Sequence, residues 1–208
     1  MAPAARGKRL PVLETAVADL GLVPLDKRDA DELFALIIAN RTHLRRWLPW
    51  IDGVQSAGDT SAYVRNALEL QRLGLRVDYT LRLRGRLIGT IAYHTLQPAH
   101  RSGVIGYWLE LASSRRGYMT AAVERLVTYG FTELDLNRIE VRVAVGNRAS
   151  ERICTRLGFK EEGILREAEW LYDRFVDLQV RSLLRSEWAA QVFVGQGHRG
   201  LRRDGGRP

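Results

Sequence analysis

The spacing of apolar positions along this chain switches repeatedly between a helical and an extended period, and the switches lay out its elements. Leu20, Leu22 and Leu25 read as a short opening strand and turn. Asp29 then stands where a helix cap is needed, ahead of Leu33, Phe34, Ile37 and Ile38 at helical spacing. The segment His43-Leu44-Arg45-Arg46-Trp47-Leu48-Pro49-Trp50 follows. Its tryptophans belong to a loop packed on the core or to one wall of a substrate cleft. A second helix is expected from Thr60 to Leu73, with Gly74 as its stop.

After Gly74 the period becomes two. Val77, Tyr79, Leu81 and Leu83 alternate up to the turn Arg84-Gly85-Arg86, and Leu87, Gly89, Ile91 and Tyr93 lead the chain back as a hairpin. A third run from Gly103 to Leu111 completes an antiparallel meander. A long helix begins past Ser113-Ser114-Arg115-Arg116-Gly117, carrying an apolar stripe from Met119 to Leu134 and ending by Asn137. Ile139, Val141, Val143 and Val145 alternate as the next strand, a helix spans Asn147 to Leu157, and Phe159–Glu169 and Phe175–Leu184 close the pattern. The predicted order, βααβββαβαββ, is a mixed α/β fold: a mostly antiparallel sheet of about seven strands flanked by about four helices. No repeat or internal boundary interrupts it.

Composition changes this picture little. Of 208 residues, 46% are hydrophobic and 27% charged, which suits a globular chain with a real core. The formal charge of +8 sits mainly at the ends: residues 1–13 and 189–208 carry +3 each, leaving +2 on the body. Residues 1–16 and 189–208 are therefore expected to be tails around one domain at 17–188, and the balanced body argues against a nucleic-acid face. The single cysteine, Cys154, excludes an internal disulfide framework, and the four histidines lack metal-ligand spacing. With no long apolar span and no apolar leader, the expectation is a cytoplasmic protein without a metal. The apolar run Trp188 to Val194 points to packing on the domain or on a second subunit, so a homodimer is the expected assembly.

Two strand-to-helix passages are candidates for chemistry. At Leu111–Thr120 a glycine enters a long helix beside two arginines, and unpaired N–H groups at a helix N-terminus attract phosphate. About thirty residues on, Val145-Gly146-Asn147 opens the next helix, with Asn147 suited to the N-cap and Ser150 in its first turn. Each passage alone also fits an ordinary turn and an ordinary cap. Together they present two helix N-termini at one sheet edge, a place for a long, polyphosphorylated, amide-containing ligand. No dinucleotide G-x-G-x-x-G follows a first strand.

The element order and the strings Gly106-Tyr107-Trp108-Leu109, Arg116-Gly117-Tyr118-Met119-Thr120, Asn147-Arg148-Ala149-Ser150, Leu157-Gly158-Phe159 and Glu162-Gly163-Ile164-Leu165-Arg166 resemble the GNAT acetyltransferase superfamily. With His43-Leu44 and Trp47-Leu48-Pro49-Trp50, they resemble its branch that acetylates the N-termini of ribosomal proteins, over about residues 17 to 186. The resemblance implies acetyl-coenzyme A as cosubstrate. It implies pyrophosphate held by the backbone of Arg115, Arg116, Gly117, Tyr118, Met119 and Thr120, and the pantetheine arm along Trp108, Leu109 and Leu111, with Asn147 and Ser150 nearby. Of the family's phosphate-loop pattern only Gly117 keeps its type; Ser114 and Met119 depart from it.

An amine attacks a thioester only as the neutral base, which an α-amino group supplies more readily than a lysine. The resemblance assigns Ser150 to protonate the departing thiolate and Glu169 to take the amine proton. Glu167, two positions earlier and facing the same side, is the alternative base. Trp47, Trp50 and Tyr172 are expected on the acceptor side, where Arg45 and Arg46 suit an acidic partner such as the ribosomal stalk protein that the resembled branch modifies. An acetyltransferase for a small amine or antibiotic, and a noncatalytic acyl-coenzyme A or RNA-binding module, stay open as alternatives.

Overall fold

The computed structural model describes residues 9–191. The apolar alternation becomes one eight-stranded sheet: β1 (Leu13–Glu14), β2 (Leu20–Pro24), β3 (Val77–Leu83), β4 (Arg86–Gln97), β5 (Ser102–Leu109), β6 (Arg138–Ala144), β7 (Lys160–Leu171) and β8 (Arg174–Leu184). Their spatial order is β1-β2-β3-β4-β5-β6-β8-β7. Every neighbouring pair is antiparallel except β5 and β6, which the crossover through a helix makes parallel. The helices are α1 (Ala30–Ala39), α2 (Arg41–Leu44), α3 (Ala57–Arg72), α4 (Tyr118–Thr132), α5 (Arg148–Arg156) and α6, residues 185–191.

Alternation along β5 assigns the two faces. Ile105, Tyr107 and Leu109 join the large core that holds Leu126, Phe131 and Cys154 from α4 and α5. Trp108 points the other way, onto the clusters formed by Leu33, Val64 and Leu87 and by Ile37, Leu44 and Ile51. On the first face α4 comes very close to the sheet. A Cβ at Gly130 would lie 2.1 Å from Tyr93 Oη, so only glycine allows this approach. Tyr93 Oη donates to the Leu126 carbonyl at 3.1 Å.

Several expected boundaries move. Leu10 and Leu13 are buried in the core and β1 pairs with β2, so residues 9–16 belong to the folded body rather than to a tail. A two-residue ladder is too short to show alternation in the sequence. The cap expected at Asp29 is supplied by Asp26, whose carboxylate accepts from Arg28 N–H at 3.0 Å; Asp29 instead accepts from Asp26 N–H and from Arg82, both at 2.8 Å. The second long helix starts at Ala57, because Ser56 and Asp59 form a reciprocal cap. α4 stops at Thr132, and the link to β6 carries Leu134 and Leu136 into the core around Asp135 at φ 54°. The helix α6 carries the fold past 188, with Trp188 stacked at a tilt on Phe131, ring centroids 5.3 Å apart. Residues 192–194 of the apolar run lie outside the described residues, as do residues 1–8 and the rest of the C-terminal stretch.

Candidate active site

The site begins where two parallel strands part. β5 and β6 pair from Ser102↔Arg138 to Ile105↔Val141 and no farther. Beyond that point Gly106 to Leu109 still pair with β4, while β6 continues to pair with β8 as far as Ala144↔Leu178. The backbone edge of Gly106–Leu109 that faces β6 is thus left without a strand, and an extended amide chain can add to it as a strand would. The mouth of this wedge receives the N-termini of both α4 and α5.

At α4, Gly117 takes φ 80° and nothing lies within 4 Å of where a Cβ would stand. The first backbone bond of the helix is Ala121 N–H to Gly117 C=O, so the N–H groups of Gly117 to Thr120 find no backbone acceptor among the described residues. Arg115, at φ 63°, and Arg116 are exposed beside them and add positive charge. This cradle fits an anion of phosphate type. Met119, a departure from the family pattern, turns its side chain into the core and offers the cradle only its N–H. Ser114 Oγ donates to the Glu110 carbonyl at 3.2 Å.

Residues that the sequence reading passed over fix this loop. Glu110 is 5% exposed; its carboxylate accepts from both terminal nitrogens of Arg86, at 2.8 and 2.5 Å, and from Ser113 Oγ at 2.5 Å. Leu111 N–H donates to Asn40 Oδ1 at 2.9 Å, tying the loop to the end of α1. The Arg86 guanidinium above all, with Ser113, holds the Glu110 carboxyl below its ordinary range, against its burial. A carboxyl so lowered stabilises the fold above the ordinary carboxylate pKa and loses that contribution as pH falls through its own. Glu110→Gln is expected to cost about 1–3 kcal/mol in urea unfolding at neutral pH, with the difference shrinking on acidification.

At α5, Asn147 Oδ1 accepts from Ser150 N–H at 3.3 Å, and Gly146, at φ 90°, donates its N–H to Glu151 Oε1 at 3.1 Å. The cap leaves the half-buried Ser150 side chain in the first turn. Across the wedge, Val145 N–H donates to the Asp177 carbonyl at 3.0 Å, which joins the end of β6 to the β7–β8 hairpin. There β7 is bulged. Leu165 pairs with Leu178 and Glu169 with Val176, so Arg166, Glu167 and Ala168 together oppose Asp177. Glu167 takes φ 50°, its side chain is exposed and its N–H donates to Asp177 Oδ1 at 2.8 Å. The unbroken alternation that made Glu167 equivalent to Glu169 therefore does not exist. Glu169 is half-buried, and burial raises its carboxyl pKa above the usual value. The thiol of Cys154 is pushed up to about 11, foremost by burial, which keeps it protonated and unreactive.

Two residues past Glu169, a cleft of about 470 Å³ opens between the α2 loop and the tip of the β7–β8 hairpin. Trp47 and Tyr172 line it with Arg41, Arg45, Arg46 and Arg174. Ser150 and Glu169 are not part of its lining, and neither is Trp50, which stands at the N-cap position of the short helical turn Ile51–Gly53 and is 42% exposed. Tyr172, at φ 63°, donates its hydroxyl proton to the Leu48 carbonyl at 2.5 Å, and the Arg45 guanidinium lies 3.7 Å above its ring. Arg45 also holds Asp52 with two nitrogens, at 2.9 Å from each. Arg46 forms no ion pair among the described residues. Between cleft and wedge sits His43, half-buried, beside the Leu109 backbone; burial and then Arg46 lower its pKa, so it is neutral at physiological pH.

A family model described as an acetyltransferase (GNAT) domain matches residues 19–160. The chain is 35% identical over 168 residues to the putative ribosomal N-acetyltransferase YdaF of Bacillus subtilis (strain 168), covering 80% of this chain and 92% of that protein. It is 30% identical over 148 residues to the ribosomal-protein-serine acetyltransferase of Escherichia coli (strain K12), covering 71% and 83%. Among solved structures, RimL, a ribosomal L7/L12 alpha-N-protein acetyltransferase in complex with coenzyme A, has the same fold, with a TM-score of 0.82 at 23% identity over 85% of this chain and 99% of that one.

Proposed function

This chain belongs to the GNAT acetyltransferase family and is an acyltransferase, and from that premise we propose that it acetylates the N-terminal α-amine of a ribosomal protein, with acetyl-coenzyme A as donor. One observation carries the donor assignment. A cradle of unpaired N–H groups at Gly117–Thr120 and an unpaired strand edge at Gly106–Leu109 open into the same wedge, matching a ligand that is pyrophosphate at one end and amide along its arm. Acetyl-coenzyme A bound there supplies the activated acyl group.

The chain's own residues divide the remaining work. Glu169, with its raised pKa, accepts a proton from the attacking amine as the C–N bond forms. The C–S bond breaks with its electron pair on sulfur, and the Ser150 hydroxyl gives that sulfur a proton. The serine regains one from the Glu169 carboxyl through solvent. The sum is an amide and a thiol, with no covalent enzyme intermediate. The acceptor enters through the arginine-lined cleft, whose four guanidinium groups and aromatic walls suit a peptide with acidic residues behind its terminus. Relatives named for ribosomal substrates support that acceptor class.

The test is a competition among acceptors. Near pH 7.5 an α-amine offers about two orders of magnitude more neutral base than a lysine side chain. Acidic peptides beginning with serine or alanine are expected to be acetylated at the terminus, with kcat/KM about 100-fold above that for their internal lysines. Faster turnover of polyamines or aminoglycosides than of any such peptide would move the acceptor to the small-molecule class.

A further inference from the structure

Tyr107 carries a hydroxyl that the fold buries and leaves unused. Its oxygen is shielded from solvent and has no hydrogen-bond partner among the described residues. Such groups are rare in native structures because an unpaired buried donor loses its water without replacement. The position of this one is informative. Tyr107 lies on β5 just past the last pair with β6, on the face that meets α5. There its hydroxyl faces Ser150 and Cys154, one helical turn apart, without completing a hydrogen bond to either. Cys154 is deep in the core at 1% exposed, whereas Ser150 is at the mouth of the wedge. Burial suppresses the acidity of the phenol, so it remains a donor throughout.

We propose that Tyr107 is a positioning residue for Ser150: its hydroxyl donates to Ser150 Oγ when the donor is bound and thereby turns the serine proton toward the departing sulfur. This rests on the acetyl-transfer reading above. Tyr107 loses no proton in the step; the proton that reaches sulfur is the serine's. A serine hydroxyl rotates freely and one fixed donor to its oxygen selects the direction of its own O–H. The cost of keeping an unsatisfied hydroxyl in the free protein is then the cost of a site arranged for the reacting state.

The test is Tyr107→Phe in the full chain, alone and combined with Ser150→Ala. The thermal midpoint of the free protein is expected to stay level or rise, since the substitution removes only an unpaired polar atom. The turnover number is expected to fall about tenfold, a fraction of the roughly 10²–10⁴ that a positioned acid contributes. In the Ser150→Ala background Tyr107→Phe should have no further effect, because its action passes through the serine. Calorimetry supplies a readout independent of turnover: any preference for coenzyme A over its desulfo analogue is expected to shrink equally in Tyr107→Phe and Ser150→Ala, with affinity for the desulfo analogue unchanged. Unchanged turnover, an additive loss in the double variant, or a lowered midpoint would each overturn the proposal. If the unsubstituted chain binds acetyl-coenzyme A but acetylates no acceptor, the functional reading fails on its own. The sulfur preference still decides the contact: sensitivity in Ser150→Ala without sensitivity in Tyr107→Phe, or none in either, overturns it.

Discussion

Gly117→Glu is expected to abolish binding of acetyl-coenzyme A, with a loss of affinity of about 100-fold or more in a calorimetric titration. Two effects combine. At φ 80° a side chain costs about 1–2 kcal/mol wherever it points, and Arg115, two residues earlier at φ 63°, gives the loop little room to rotate the strain away. The larger effect is electrostatic. The carboxylate would enter the cradle of N–H groups from Gly117 to Thr120 and occupy, with the charge of the ligand itself, the field that draws a pyrophosphate. Gly117→Ala separates the two. Its Cβ meets nothing within 4 Å, so it should carry the backbone strain alone and retain measurable binding with a slightly lower thermal midpoint. Equal affinity of Gly117→Glu and the unsubstituted protein would remove the cradle from the donor site.

Glu169→Gln is expected to lower kcat by about 10²–10⁴ while leaving donor affinity intact. Burial raises the Glu169 pKa, and a base acts only when ionised, so kcat/KM should climb with pH through that raised value. The variant should lose this ascending limb and retain only the limb due to the acceptor amine. Stability should move the other way. A carboxyl whose pKa is raised by folding is easiest to bury protonated; its contribution is fully present below the ordinary carboxylate pKa and is lost as pH rises through the folded value. At neutral pH the neutral glutamine should therefore hold the midpoint level or raise it slightly. A variant with undiminished turnover across about pH 6–9 would exclude Glu169 as the base. Glu167, displaced by the bulge, exposed and held through its backbone by Asp177, is then a poor substitute, because it no longer shares the side of the strand on which Glu169 stands.

These two positions also mark how far the sequence reads by itself. The helix entry at Arg115 to Thr120 and the cap Asn147 with Ser150 were legible because helix N-termini and their caps are local: a few residues in order produce them, with little reference to the rest of the chain. The same holds for the element order, since alternation and helical stripes are properties of short windows. The errors were local as well. β1 was missed because two residues carry no period, and the first cap was misassigned because Asp26 and Asp29 exchange roles within one turn.

What only the tertiary structure decided lies in contacts between distant residues. Leu111 and Asn40 are 71 positions apart, and Tyr172 and Leu48 are 124 apart, yet these pairs tie down the loop ahead of α4 and close one side of the arginine-lined cleft. No window of sequence contains both partners. The divergence of β5 from β6 belongs to the same class, because it is a register between strands separated by α4 and its links. So does the bulge that separates Glu169 from Glu167, which arises from pairing with β8 rather than from β7 itself. Local periodicity and capping chemistry thus wrote the elements and two helix N-termini into the sequence. Long-range packing and strand register decided where the arginine-lined cleft opens, which of the two carboxylates is half-buried, and that a tyrosine hydroxyl waits unpaired next to Ser150.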